Sequence, residues 1–178
     1  DLVHGGCWDR PEDLYAEAVS DTRVEGHRHT YGWANYQKVY FVAEFSKPFE
    51  SFEAVDESNW YYRINFTTTE GEQIGVKVAL SSTSIEGARK NFDAELAATD
   101  FDTVRKATYD KWITEIRKIR IEGATPEQEE IFYTAMYHMY VAPSLFSDVD
   151  GTYRGADQEI HQNPGHDTYT TFSLWDTY

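Results

Sequence analysis

The sequence predicts a mixed, two-part fold, a β-sandwich region followed by helices. Three observations carry this reading. Apolar residues between Thr22 and Ala79 recur with a period of two. The period changes to helical spacing at Ser82. Thr125-Pro-Glu-Gln128 then supplies a helix start, with a Thr cap, Pro at the first helical position and Gln three residues after the cap. Strands therefore occupy the chain to about residue 81, a helical connection runs over 82–124, and a mainly helical part begins at 125.

The elements follow in order. Pro11 to Val19 allows a short helix, capped by Asp9 with Pro11 in its first turn. Val39, Phe41, Ala43 and Phe45 alternate with Tyr40, Val42 and Glu44, so both faces of this run are largely apolar, as in a strand packed on both sides. Ser46-Lys-Pro48 ends it. Tyr62, Ile64 and Phe66 form a second run, and Ile74, Val76 and Val78 a third. Gly71 lies between these two, which read as a hairpin. Asn65-Phe-Thr67 matches a glycosylation acceptor, but in a strand-like segment the match reads as chance. Thr83 with Glu86 reads as a capping box, followed by Ile85, Ala88, Phe92 and Leu96. Asp100 or Asp102 caps a second helix carrying Val104, Thr108, Trp112 and Ile116, broken by Gly123. Ile131, Phe132, Ala135, Met136 and Met139 line the third helix, which Pro143 ends.

Composition narrows the function classes. The 178 residues are 40% hydrophobic and 16% aromatic, enough for a packed core. A net charge of -15 opposes nucleic acid and anionic membrane surfaces as partners. It suits a secreted or periplasmic protein, a cation site or a neutral ligand. Cys7 is the only cysteine, so neither an internal disulfide nor a thiolate cluster forms. No run is long and apolar enough for a signal peptide or a membrane span, and a targeting signal would belong to whatever precedes Asp1.

The last third concentrates the polar candidates. Asp148, Asp150 and Glu159 sit at calcium-loop spacing, but the position that requires glycine is Tyr153, and Gly151 comes two residues early. An Asp-Gly turn, with the carboxylates on local backbone and Arg154 paired to one of the acids, is the simpler reading. Trp175 and Asp176 offer a ring for the C–H face of a sugar and a carboxylate for its hydroxyls, though from the residues alone ordinary packing at a helix entrance is the simpler reading. His138, His161 and His166 make no metal pattern. His138 reads as a core or boundary residue, and His161 and His166 as loop residues or the lining of a cleft mouth. There is no phosphate loop and no Gly-x-Ser-x-Gly elbow.

Four segments together resemble the α-mannosidases of glycoside hydrolase family 92. They are Phe41-Val-Ala-Glu-Phe-Ser-Lys-Pro-Phe49, Ile131-Phe-Tyr-Thr-Ala-Met-Tyr-His138, Phe146-Ser-Asp-Val-Asp-Gly-Thr-Tyr-Arg-Gly-Ala-Asp157 and Tyr169-Thr-Thr-Phe-Ser-Leu-Trp-Asp-Thr-Tyr178. Their order and rough spacing match as well. The resemblance implies a mixed two-domain fold. Residues 1–81 would be the C-terminal part of an N-terminal β-sandwich, 82–124 a helical linker, and 125–178 the beginning of an (α/α)6 catalytic barrel. It further implies an exo-acting, inverting, calcium-dependent enzyme whose substrates are mannose-containing glycans, with no membrane insertion. By the same resemblance Trp175 and Asp176 are substrate-binding residues of the terminal-mannose subsite. The general acid Glu, the base Asp and the calcium ligands are expected beyond Tyr178, so this fragment would contain no catalytic or metal residue and would not turn over substrate alone. A different enzyme on the same barrel plan and a non-catalytic carbohydrate-binding relic are the alternatives.

Overall fold

The structure, a computed structural model, describes residues 9–32, 35–56, 61–163 and 165–171. A strand region is followed by a short helical region. The chain divides into two compact units, residues 1–98 with 147–167, and residues 99–146 with 168–178.

The first unit opens with six strands: β1 (Arg10–Ala18), β2 (Arg23–Tyr31), β3 (Gln37–Phe45), β4 (Ser51–Asp56), β5 (Tyr61–Asn65) and β6 (Val76–Ser81). An antiparallel sheet has the order β1-β2-β3-β6, and β4 pairs with β5 separately. The segment expected as a helix over 11–19 is strand β1. Leu14 and Ala16 are buried while Asp13, Tyr15 and Glu17 are exposed, a period of two. Pairing with β2, from Asp13 opposite His29 to Ala18 opposite Val24, satisfies the backbone that a short helix would have to satisfy alone. The register shifts between Pro11 and Asp13, where Pro11 has no N–H to give the ladder.

The hairpin expected between Tyr62–Phe66 and Ile74–Val78 does not form. β5 pairs with β4, and β6 crosses to pair with β3, Tyr40 opposite Ser81 and Phe45 opposite Val76. Gly71 does sit in a turn, at φ 79°, but that turn redirects the chain between two sheets. Lys47 holds it by donating to the Thr67 carbonyl and the Glu72 carboxylate, both at 2.6 Å. At the end of β5, Asn65 Nδ2 donates to Ser51 Oγ at 2.7 Å and Glu53 Oε1 at 2.9 Å. The amide of the glycosylation tripeptide is thus engaged in the sheet.

Helix α1 (Ile85–Glu95) packs on the four-stranded sheet. Val42, Ala79, Ala88 and Phe92 form the core between them, with Tyr40 and Leu96 at its edge. The cap is Ser84, whose side chain accepts from Gly87 N. The expected cap, Thr83, gives its hydroxyl to Asp148 instead. An ionic seam runs beside the core. Glu25, only 2% exposed, receives Arg89 Nε at 2.9 Å, and the Arg23 guanidinium lies 4.6 Å from the centre of the Phe92 ring.

The second unit holds α2 (Phe101–Ile116) and α3 (Pro126–Met139). Asp100 caps α2 by accepting from Thr103 N at 2.7 Å. The helix ends at Ile116, well before Gly123, with Arg117 as its C-cap. Both halves of the Thr125/Gln128 capping box are present at the start of α3. Trp112 packs 4.7 Å from the Tyr137 ring. Of the apolar face expected on α3, Met136 is buried, whereas Ile131 and Met139 are exposed. His138, expected at the core or its boundary, is exposed too. Among the described residues no helix is long and apolar enough to cross a membrane.

Candidate functional site

The Asp-rich stretch read as a loop folds into a hairpin of β7 (Thr152–Arg154) and β8 (Ile160–Gln162). Gly151, at φ 82°, permits the turn that leads into it, and its N–H donates to the Asp148 carbonyl at 2.8 Å. Asp148 is the anchor. It is 5% exposed. Its Oδ2 accepts the Ser81 hydroxyl at 2.8 Å and the Thr83 hydroxyl at 2.6 Å, and its Oδ1 accepts Asn91 Nδ2 at 2.8 Å. Charge-assisted bonds from three side chains replace the water lost on burial. The carboxylate therefore fastens the hairpin to the β6–α1 turn rather than bonding local backbone.

Arg154, expected to pair with one of the acids, completes the attachment through backbone carbonyls instead. Its guanidinium donates to the carbonyls of Ser82 at 2.9 Å, Gln158 at 2.7 Å and Thr83 at 3.3 Å. Asp150 does follow the local reading, accepting Thr152 N at 3.0 Å, and it also pairs with Lys90 at 2.9 Å. Hydrogen bonds from Thr152 and Lys90 bring its carboxyl down to about 2 from 3.8. Asp157 is lowered as well, first by the Glu159 backbone N–H and then by His161, whose Nε2 stands 2.9 Å from its Oδ2. That pair is exposed, as is His166.

These contacts bear on calcium. Calcium takes six to eight oxygen ligands. The Asp148 oxygens are filled by protein donors, Asp150 is held by Lys90 and Thr152, and Asp157 by Glu159 and His161. The remaining cluster, Asp13 with His27 and His29, offers one carboxylate and two imidazoles. No set among the described residues fits calcium. The Asp13 cluster itself was missed in the sequence. Its available signal was a His-x-His pair at strand spacing.

Trp175 and Asp176 fall within 172–178, outside the described residues. The segment that leads to them is placed within the second unit. Leu145 bridges Tyr169, Phe146 N donates to Thr168 O at 2.8 Å, and Thr170 N donates to Ser144 O at 2.8 Å. The same unit has an open groove of about 340 Å³ lined by Thr108, Lys111, Trp112, Glu115 and Tyr140. The one carboxylate in that lining, Glu115, is ion-paired with Lys118.

Comparison with known proteins gives a consistent family. The glycosyl hydrolase family 92 N-terminal domain matches residues 1–81, and the glycosyl hydrolase family 92 catalytic domain matches residues 87–178. Among solved structures, a family GH92 alpha-mannosidase from Bacteroides thetaiotaomicron is 32% identical, with a TM-score of 0.83 over 96% of this chain and 25% of its own. That relative has also been solved in complex with mannoimidazole. A GH92 family glycosyl hydrolase, ccman5, is 24% identical, with a TM-score of 0.82 over 98% of this chain and 25% of its own. A family GH92 inverting mannosidase from Bacteroides thetaiotaomicron is 23% identical, with a TM-score of 0.72 over 87% of this chain and 23% of its own. The last two likenesses concern the fold alone. The chain spans about a quarter of the length of these structures. Comparison with curated proteins gave no match.

Proposed function

The chain belongs to glycosyl hydrolase family 92, and from that premise we propose that it is part of an inverting, exo-acting α-mannosidase that hydrolyses terminal mannose from glycans, α-1,2 linkages being the first to test. The observation that carries this reading is the joint match to both family domains, supported by the 32% likeness to a structure named as an alpha-mannosidase. The arrangement is the C-terminal part of an N-terminal β-sandwich over 1–81, a helical linker over 82–124 and the start of an (α/α)6 barrel over 125–178. The working compartment is extracellular or periplasmic.

Inversion requires two carboxyl groups on opposite faces of the sugar. One protonates the glycosidic oxygen and the other directs a water to the anomeric carbon. In this reading neither is Asp148, which is consumed in packing, or Asp150, which is held in an ion pair. The contribution of this chain is to substrate binding. Trp175 stacks on the C–H face of the terminal mannose, and Asp176 accepts hydrogen bonds from its distal hydroxyls. Calcium, when bound, supplies electrostatic stabilisation and orients sugar hydroxyls. Its ligands lie outside the described residues.

The test is hydrolysis of linkage-defined α-mannobioses by the intact protein, followed by proton NMR. The reading expects β-mannose as the first product, loss of activity with a chelator, and recovery with calcium but not zinc. α-Mannose as the first product, or hydrolysis indifferent to chelation, contradicts the mechanism.

A further inference from the structure

We propose that Asp13, His27 and His29 form a binding site for a borderline divalent transition metal, with zinc the first candidate. The backbone sets the three groups together. His27 and His29 are two apart on β2, so their side chains share a face. Asp13 is the β1 register partner of His29 and lies on that same face. The site therefore draws ligands from two hydrogen-bonded strands, and its spacing does not depend on a loop.

The distances are close to those a metal needs. Asp13 Oδ2 stands 2.9 Å from His27 Nε2 and 3.4 Å from His29 Nδ1. One ligand atom from each residue lies within 4.8 Å of the others. Zinc bonds of about 2.0–2.1 Å in a tetrahedron separate neighbouring ligand atoms by about 3.3 Å. The two separations from Asp13, 2.9 and 3.4 Å, bracket that value.

Neighbouring rings fix the imidazoles in place. His27 stacks on His29 with centroids 4.4 Å apart, and Tyr15 stacks on His27 at 5.7 Å. Tyr40 meets His29 edge-on at 5.2 Å. Tyr15 and Tyr40 are the register partners of His27 on either side, so the ring row is part of the sheet. Both histidines are 18% exposed and Asp13 is 63% exposed. A metal would thus be held at the surface, with a coordination position left to water.

A simple Asp–His ion pair accounts for the 2.9 Å contact and for little else. It gives no reason for a second histidine whose Nδ1 stands 3.4 Å from the same carboxylate oxygen. Two imidazoles and one carboxylate favour zinc, cobalt or nickel over calcium and magnesium, which take oxygen ligands. This separates the site from the calcium expected of the catalytic reaction.

The experiment strips the intact protein of metal and titrates zinc against a chromophoric chelator, with cobalt absorption as a second readout. Outer-shell partners of metal ligands are worth about 10–100-fold in affinity. Asp13→Asn and His29→Gln should therefore each weaken this zinc equivalent at least about tenfold, and calcium in excess should leave it bound. Asp13 is exposed, so that variant tests binding with little risk to folding. In the unmodified protein, zinc should shift the His27 and His29 imidazole NMR signals. Unshifted imidazole signals, unchanged zinc affinity in both variants, or displacement by calcium overturns the site.

Discussion

Asn91 and Asp148 clasp each other in both directions: Asn91 Nδ2 donates to Asp148 Oδ1 at 2.8 Å, and Asn91 Oδ1 accepts the N–H of the next residue, Val149, at 2.8 Å. The same Nδ2 also donates to the Leu80 carbonyl at 2.8 Å. One amide thus joins the end of β6, the face of α1 and the start of the β7–β8 hairpin. Each buried group satisfies another, so removing one strands several.

Asp148→Ala should accordingly destabilise the protein by about 2–4 kcal/mol, since it leaves two hydroxyls and an amide without their acceptor. Asp148→Asn should cost less, because the hydroxyls can rotate to donate to the remaining carbonyl. Urea denaturation of both variants checks the order.

Gly87→Ala separates local preference from packing. Alanine favours a helix over glycine by about 1 kcal/mol. A Cβ at position 87, however, would lie 2.5 Å from Asp148 Oδ2, 2.6 Å from Ser81 Oγ and 2.7 Å from Thr83 Oγ1. The expected result is a net loss of about 1–3 kcal/mol, read as a lower melting temperature. A gain would mean that the Asp148 anchor yields freely.

Asp150 gives a pH signature. Its folded carboxyl titrates at about 2 against an ordinary 3.8. The depressed value means that its contribution is complete above 3.8 and is lost as pH falls through 2. Carboxyl-carbon NMR should show the low midpoint, and Lys90→Met should raise it.

Thr125→Ala should reduce stability by about 1 kcal/mol through loss of the α3 cap. The Thr125 hydroxyl accepts Gln128 N at 3.3 Å, and the Gln128 side chain accepts Thr125 N at 2.9 Å. Gln128→Ala should remove part of the same effect, and a double-mutant cycle should show coupling between the two.

What the sequence made legible was local. The Thr125 box, the Asp100 cap and the apolar run of β3 each depend on residues a few positions apart, and each is found where the pattern put it. What it concealed was non-local. β1 is a strand because β2 lies beside it, and β6 pairs with β3 rather than with the nearer β5. Ser84 caps α1 because Thr83 is claimed by Asp148, 65 positions later. The same limit applied to the sites. The Asp148 partners lie 57 to 67 positions away, and the Asp13 cluster depends on strand register. Trp175 and Asp176 rest on motif resemblance alone, a kind of information that local periodicity does not contain, and they lie outside the described residues.

The most direct measurement is mannose release from α-mannosides by the intact protein, wild type beside Asp176→Asn. The wild type should release free mannose from at least one linkage. The variant, with its fold confirmed by an unchanged melt, should lose at least about tenfold in kcat/KM, as expected for removing a charged hydrogen-bond acceptor from the sugar. No mannose from any linkage by the folded wild type, or full activity in Asp176→Asn, would contradict the account.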